Sequence, residues 1–321
     1  MNQSLFRAAA SVAALLVMPS LAAAEVRVVA SVKPVHSLVA AIMQGVGEPA
    51  LIVGGAASPH TYSLKPSDAQ KLEDADVVFW IGHDFEAFLD KPLEALPGDA
   101  KVVALSDAPG LVKLPFREGG PFEAHDDGDH EDHAAEVGSE AEHHDEHEHG
   151  GTDMHLWLDP MNAKAMAAEI RDTLVAADPT NADAYRKNAE VLDNQIDALD
   201  REIAATIAPV KDKPFVVFHD AYQYFENRYH VRVAGSVTVS PETMPGAERL
   251  SAIHAKIGEL GAACVFAEPQ FEPKLLNVVT EGTAAKSGVL DPAGGALAEG
   301  PALYGDLLRA MATSLVACLS M

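Results

Sequence analysis

The chain has 321 residues, 48% of them apolar and 22% charged, which suits one or two packed domains and excludes a fibrous or wholly disordered protein. Its formal charge is −25, with 48 acidic against 23 basic residues and no Lys/Arg stripe, so a nucleic-acid partner is excluded.

At the N-terminus Arg7 precedes an apolar run over 8–24 that closes in Ala22-Ala23-Ala24. This pattern predicts a secretory signal over 1–24, cleaved before Glu25. Its uninterrupted apolar part is about half of the ~20 residues a bilayer span requires, and no lipid-attachment Cys follows. The mature chain is therefore expected to be exported and soluble. Cys264 and Cys318, the only cysteines, read most simply as one disulfide in an oxidising compartment, with free thiol metal ligands as the alternative.

From Glu25 onward short β-branched runs alternate with helical periodicity. Strands are expected over 26–30, 50–53, 77–81 and 101–105, and helices over 35–44, from 66, over 84–96 and over 160–177. Strands separated by helices imply a parallel α/β lobe, assigned to 25–178. Over 180–208 apolar residues recur every three or four positions, from Ala182 through Leu192 and Leu199 to Ile207. That is one helix about 43 Å long, capped by Thr180 with Asp183, stopped by Pro209 and read as a rigid linker over 179–209. The strand and helix alternation then repeats over 210–321. Strands end in His219, Glu268 and Asp291, and a final helix covers 302–319.

Within an insertion assigned to 117–152, residues 123–149 hold 7 histidines and 12 carboxylates in 27 positions, with no Lys or Arg. Such a tract cannot bury enough apolar surface to fold, so it reads as a disordered, loose metal-binding segment using His125, His130, His133, His143, His144, His147 and His149. Among the seven other histidines, His36, His83, His230 and His254 lie within or beside regular elements and read as structural. His60, His155 and His219 instead flank turns at the edge where parallel sheets bind ligands. Three neutral imidazoles suit Zn²⁺ and leave a fourth position for a carboxylate or water. A Gly45-Val46-Gly47-Glu48-Pro49-Ala50 stretch carries Pro where a dinucleotide-binding helix would open, and neither a His-Glu-x-x-His nor a Gly-x-Ser-x-Gly motif occurs.

Four stretches, Ser58-Pro59-His60-Thr61-Tyr62-Ser63-Leu64-Lys65-Pro66-Ser67-Asp68, Met154-His155-Leu156-Trp157-Leu158, Phe218-His219-Asp220-Ala221-Tyr222 and Phe266-Ala267-Glu268-Pro269-Gln270-Phe271, closely resemble the zinc-specific periplasmic binding proteins of ABC transporters, the ZnuA family. The resemblance covers the mature chain, including the insertion, the long helix and the Cys264/Cys318 pair. It implies two α/β lobes joined by a rigid helix, a monomer with one cleft Zn²⁺ site, delivery to an ABC permease membrane subunit, and no enzymatic activity. Its histidine ligands map onto His60, His155 and His219. Some zinc members carry Glu where Pro59 stands, and manganese relatives carry Asp at the position of Asp291, which becomes the expected fourth ligand with water as the alternative. An imidazole at 219, where manganese relatives have a carboxylate, favours Zn²⁺. Two rivals remain from the residues alone: a secreted zinc hydrolase with Glu268 as base, and a metal-buffering or adhesive surface protein whose function is the insertion.

Overall fold

The computed structural model describes residues 26–320 except 97, 99, 118–121, 123–150, 239–245 and 271–277. The signal and the His-rich tract 123–149 lie outside the described residues.

Two four-stranded parallel sheets organise the fold. The first contains β1 (Val28–Val32), β2 (Ala50–Val53), β3 (Val77–Trp80) and β4 (Lys101–Ala104) in the order β2-β1-β3-β4. The second contains β5 (Phe215–His219), β6 (Val233–Thr238), β7 (Cys264–Ala267) and β8 (Lys286–Val289) in the order β6-β5-β7-β8. The orders are the same pattern repeated, so each lobe has its topological switch beside its first strand, between β1 and β3 and between β5 and β7. Ligands in open parallel sheets bind beyond the strand C-termini at such a point. All five residues of β1 and of β5 are buried, as expected of central strands covered on both faces.

Helices α1 (Lys33–Ile42), α2 (Pro66–Glu73), α3 (Asp90–Glu94) and α4 (Pro160–Ala177) belong to the first half, and α6 (Gln223–Tyr229), α7 (Ala247–Leu260) and α8 (Leu303–Leu319) to the second. Between them runs α5 (Ala182–Ile207), 26 residues and about 39 Å long. Its buried stripe is Tyr185, Ala189, Leu192, Ile196, Leu199, Ile203 and Ile207, and it packs against α1, α4 and α8. No helix among the described residues is long and apolar enough to cross a membrane.

Several boundaries differ from the sequence expectation. The first strand lies two residues later, because Pro34 is tolerated in the first turn of α1 and the helix starts at Lys33. The helix expected over 84–96 breaks into a 3₁₀ turn (Ala87–Leu89) and the five-residue α3, since Pro92 fits only the first turn of a helix and forces a new start at Asp90. Thr180 does not cap α5. Residues Pro179–Asn181 form a 3₁₀ turn instead, and the Asp178 carboxylate accepts from Asn181 Nδ2 at 2.7 Å and Tyr185 Oη at 2.9 Å. Cys264 on β7 and Cys318 on α8 form a disulfide, which removes the free-thiol alternative.

Candidate metal centre

Each histidine reaches the cleft from a different kind of support. His60 sits in a 3₁₀ turn (Pro59–Thr61) after β2. His155 precedes the 3₁₀ turn Leu156–Leu158, whose three residues are buried, so the backbone behind it is fixed by the first-lobe core. His219 is the last residue of β5, at the switch point of the second sheet. Ligand nitrogens of these three residues all lie within 4.8 Å of one another, the one such cluster among the described residues.

Two of the rings are held by carboxylates. Asp153 Oδ1 accepts from His155 Nδ1 at 2.8 Å, and Glu268 Oε1, from the turn after β7, accepts from His219 Nδ1 at 2.5 Å. A protonated Nδ1 leaves Nε2 as the nitrogen with a lone pair to ligate, so both carboxylates select the same tautomer and turn Nε2 inward. The two Nε2 atoms are 3.3 Å apart. Two nitrogens bound to one tetrahedral Zn²⁺ at 2.0–2.1 Å would be about 3.3–3.4 Å apart. The donor set and its spacing therefore fit zinc.

The electrostatics divide the cluster. The His60 imidazole is enclosed by Phe85 at 5.0 Å and by His155 and His219, each at 5.5 Å between centroids. Burial, reinforced by the two neighbouring imidazoles, holds its pKa well below the ordinary histidine value. At His219 burial also disfavours the charged ring, but the Glu268 carboxylate outweighs it, with help from Asp220 and Asp153, and the pKa is raised. Phe85 and Trp157 wall the site, their rings 5.2 Å apart.

The cavity among these side chains has a volume of about 20 Å³, room for one ion or one water and none for an organic substrate. Ser58, Gln270, Pro292 and Ala293 also line it. Ser58 Oγ and Gln270 Oε1 are buried there and have no hydrogen-bond partner. Asp291 stands outside the three-histidine cluster. Its Oδ1 accepts from Gln270 Nε2 at 3.1 Å, Ala293 N at 3.2 Å and Gly294 N at 2.9 Å, and its Oδ2 from Ala296 N at 3.3 Å. The remaining histidines lie elsewhere. His36 donates through Nε2 to Pro49 O and His254 to Glu281 O, His83 bonds to Asp90, and His230 takes a φ of +54° just past α6.

Sequence reasoning did not single out Asp153, Phe85 or Gln270. Asp153 carried a local signal, an acidic residue two positions before a candidate ligand. Gln270 lies within a stretch that carries the family resemblance but had no role read for it, and Phe85 carried no signal, because both roles depend on where separate loops meet.

Two parallel α/β lobes, a helical spine between them and an ion-sized cavity of imidazoles define a metal-ion receptor of the solute-binding kind. The family model described as "Zinc-uptake complex component A periplasmic" matches residues 28–318. The "High-affinity zinc uptake system protein ZnuA" of Brucella suis biovar 1 is 57% identical over 315 residues, covering 94% of each chain. That of Yersinia pestis is 39% identical over 298 residues, covering 92% of each. A solved structure described as "Crystal structure of ZnuA" aligns with a TM-score of 0.74 at 22% identity, covering 92% of this chain and 99% of the other. A "138-173 ZnuA deletion mutant plus zinc bound" aligns with a TM-score of 0.71 at 23% identity, covering 92% of this chain and 98% of that one. The chain belongs to the ZnuA family, the periplasmic zinc-binding components of zinc uptake systems. It is a transport component and not an enzyme, which removes the hydrolase reading. The Glu268 carboxylate proposed there as a base is committed to His219.

Proposed function

We propose that His60, His155 and His219 capture one Zn²⁺ in the cleft and that the protein delivers it to the membrane subunit of an ABC permease. Support comes chiefly from the 3.3 Å pair of inward Nε2 atoms, each backed by a carboxylate on Nδ1. Asp153 and Glu268 add two negative charges behind three neutral ligands, which offsets the charge of a buried dication. The fourth position takes a water. Its two protons go to Gln270 Oε1 and Ser58 Oγ, the unpartnered acceptors of the cavity, while Asp291 orients Gln270 and holds the 293–296 loop. The working form is a monomer with lobes over 25–178 and 210–321, linked over 179–209. It is exported after cleavage before Glu25, and its insertion gathers Zn²⁺ at lower affinity.

Competition titration with Zn²⁺ and Mn²⁺ tests this reading. One tight Zn²⁺ site per chain is expected, weakened by at least 100-fold in His60→Ala, His155→Ala or His219→Ala, because a four-coordinate site cannot lose an imidazole without substituting water. Deletion of 123–149 should remove only weaker steps. Loss of the tight step on that deletion would move the function to the insertion and restore the metal-buffer reading.

A further inference from the structure

The segment before the insertion leaves the first lobe and lies along the second. Residues 114–116 pair antiparallel with 151–153, through Phe116 N to Gly151 O and Asp153 N to Leu114 O, both at 2.9 Å. Arg117 stands at the end of this ribbon. Its Nε donates to Asp220 Oδ2 at 3.0 Å, its Nη2 to Asp220 Oδ1, and its Nη1 to Glu226 Oε2 at 2.5 Å, while the Phe122 ring covers the guanidinium at 3.9 Å. The ion pair is largely shielded from water, with side-chain exposures of 19% for Arg117 and 5% for Asp220. Asp220 directly follows His219.

We propose that Arg117 is a positioning residue for the metal centre, a cross-lobe clamp that keeps the His219 loop closed on His60 and His155 and so sets how long the ion is held. An ion bound by two first-lobe histidines and one second-lobe histidine can leave only if His219 draws away from the other two. That motion pulls Asp220 from a fork-on-fork guanidinium contact one residue further along, so both bonds yield in the same step. Around the clamp the same ribbon is tied to α6 and the turn before it. Gln223 Nε2 donates to Pro115 O at 2.9 Å, and Tyr224 Oη to Asp153 O at 2.7 Å. Asp153 in turn orients His155, so the clamp fixes the supports of two ligands. Removing the guanidinium leaves Asp220 and Glu226 facing each other with no cation between them, a cost paid in the closed form and relieved when opening admits water.

This inference rests on the three-histidine reading, and its test keeps the two separable. Zinc-loaded full-length protein is mixed with excess chelator, and the release rate is followed through Trp157, whose ring lies 5.5 Å from that of His155. Arg117→Ala should still bind one Zn²⁺ per chain but release it at least tenfold faster, with the association rate changed by less than threefold. Arg117→Lys should fall between, since an ammonium keeps the charge and loses the fork. A residue that only stabilises the fold would lower the melting temperature of the zinc-free protein and leave the release rate alone, and that result in folded Arg117→Ala overturns the clamp. If Arg117→Ala does not fold, Arg117→Lys and Glu226→Gln decide, and wild-type release from both overturns it equally. Tight binding that survives the His→Ala replacements would instead refute the site while leaving the release comparison readable.

Discussion

His60 and His219 carry the same side chain into one cavity, yet burial beside two imidazoles keeps the first neutral while the Glu268 carboxylate lets the second hold its proton more readily. The consequences for stability oppose each other. His60, with a lowered folded pKa, contributes stability that is present above pH ~6.5 and lost as pH falls below it. His219, with a raised one, contributes stability present below pH ~6.5 and lost as pH rises through its folded value. For zinc only the second matters, because a ligating imidazole must give up its proton. At pH ~6.5 binding should therefore expel more than about half a proton from His219 and little from His60. Calorimetric titration in buffers of differing ionisation enthalpy measures this. Glu268→Gln, which keeps an acceptor and loses the charge, should reduce the release; an unchanged release would detach Glu268 from the proton. Glu86 offers a second residue-scale test. Burial pushes its carboxyl up to about 7, against bonds from Ser31, Gly82 and Ile81 that favour the charged form. The unfolded group ionises near 4.5, so between pH 4.5 and 7 the folded state binds the extra proton and stability falls as pH rises, by up to about 3 kcal/mol. Glu86→Gln should abolish that slope in denaturant midpoints of the zinc-free protein.

Elements were legible where one period dominated. The buried stripe of α5 reproduces the apolar spacing from Tyr185 to Ile207, and both central strands are buried throughout and apolar except at Ser31 and His219. Elements failed where one residue overruled the period, as Pro92 did inside the expected 84–96 helix. The three histidines could be read because each borders a turn at a sheet edge, a property of local sequence. Lys33 could not be read, because two of its three partners, Gly295 and Leu297, are more than 260 positions away. Its buried ammonium donates to Leu297 O at 2.8 Å, Gly295 O at 3.1 Å and Gly55 O at 3.4 Å, pinning the loop after β8 to the loop after β2. The approach is close enough that a Cβ on Gly295 would meet Ala56 Cα at 3.0 Å. Lys33→Met should leave these carbonyls short of a donor and cost about 3 kcal/mol, an unfolding temperature lower by roughly 5 °C. A shift of only 1–2 °C in thermal melts would mean that water replaces the ammonium at no cost.

Across the whole molecule three devices tie distant chain segments together. α5 is bonded to the first lobe through Lys164 with Asp193 and Asp197, and to the second through Asp200 with Arg228 and Glu202 with Arg309. The disulfide joins β7 to α8, and Zn²⁺ would join His219 to the two first-lobe histidines. The last two act at opposite ends of β7, since Cys264 opens the strand and Glu268 follows it, about 13 Å away at strand spacing. Sites so separated and without shared partners contribute additively to stability. Closing the 54-residue separation between Cys264 and Cys318 contributes about 4 kcal/mol in the chain-entropy model. Zn²⁺ at 1,000-fold excess over Kd contributes about 4 kcal/mol by mass action. Reduction should therefore lower the melting temperature by roughly 6 °C with or without metal, while the rise produced by Zn²⁺ stays the same size in oxidised and reduced protein. The measurement is a four-cornered set of melts, with and without reductant and with and without Zn²⁺, repeated on Cys264→Ala/Cys318→Ala to remove any effect of the reductant on the metal. A zinc increment that disappeared in the double-Ala protein would show that the bridge holds Glu268 in register for His219, and the two ends of β7 would have to be treated as one coupled unit.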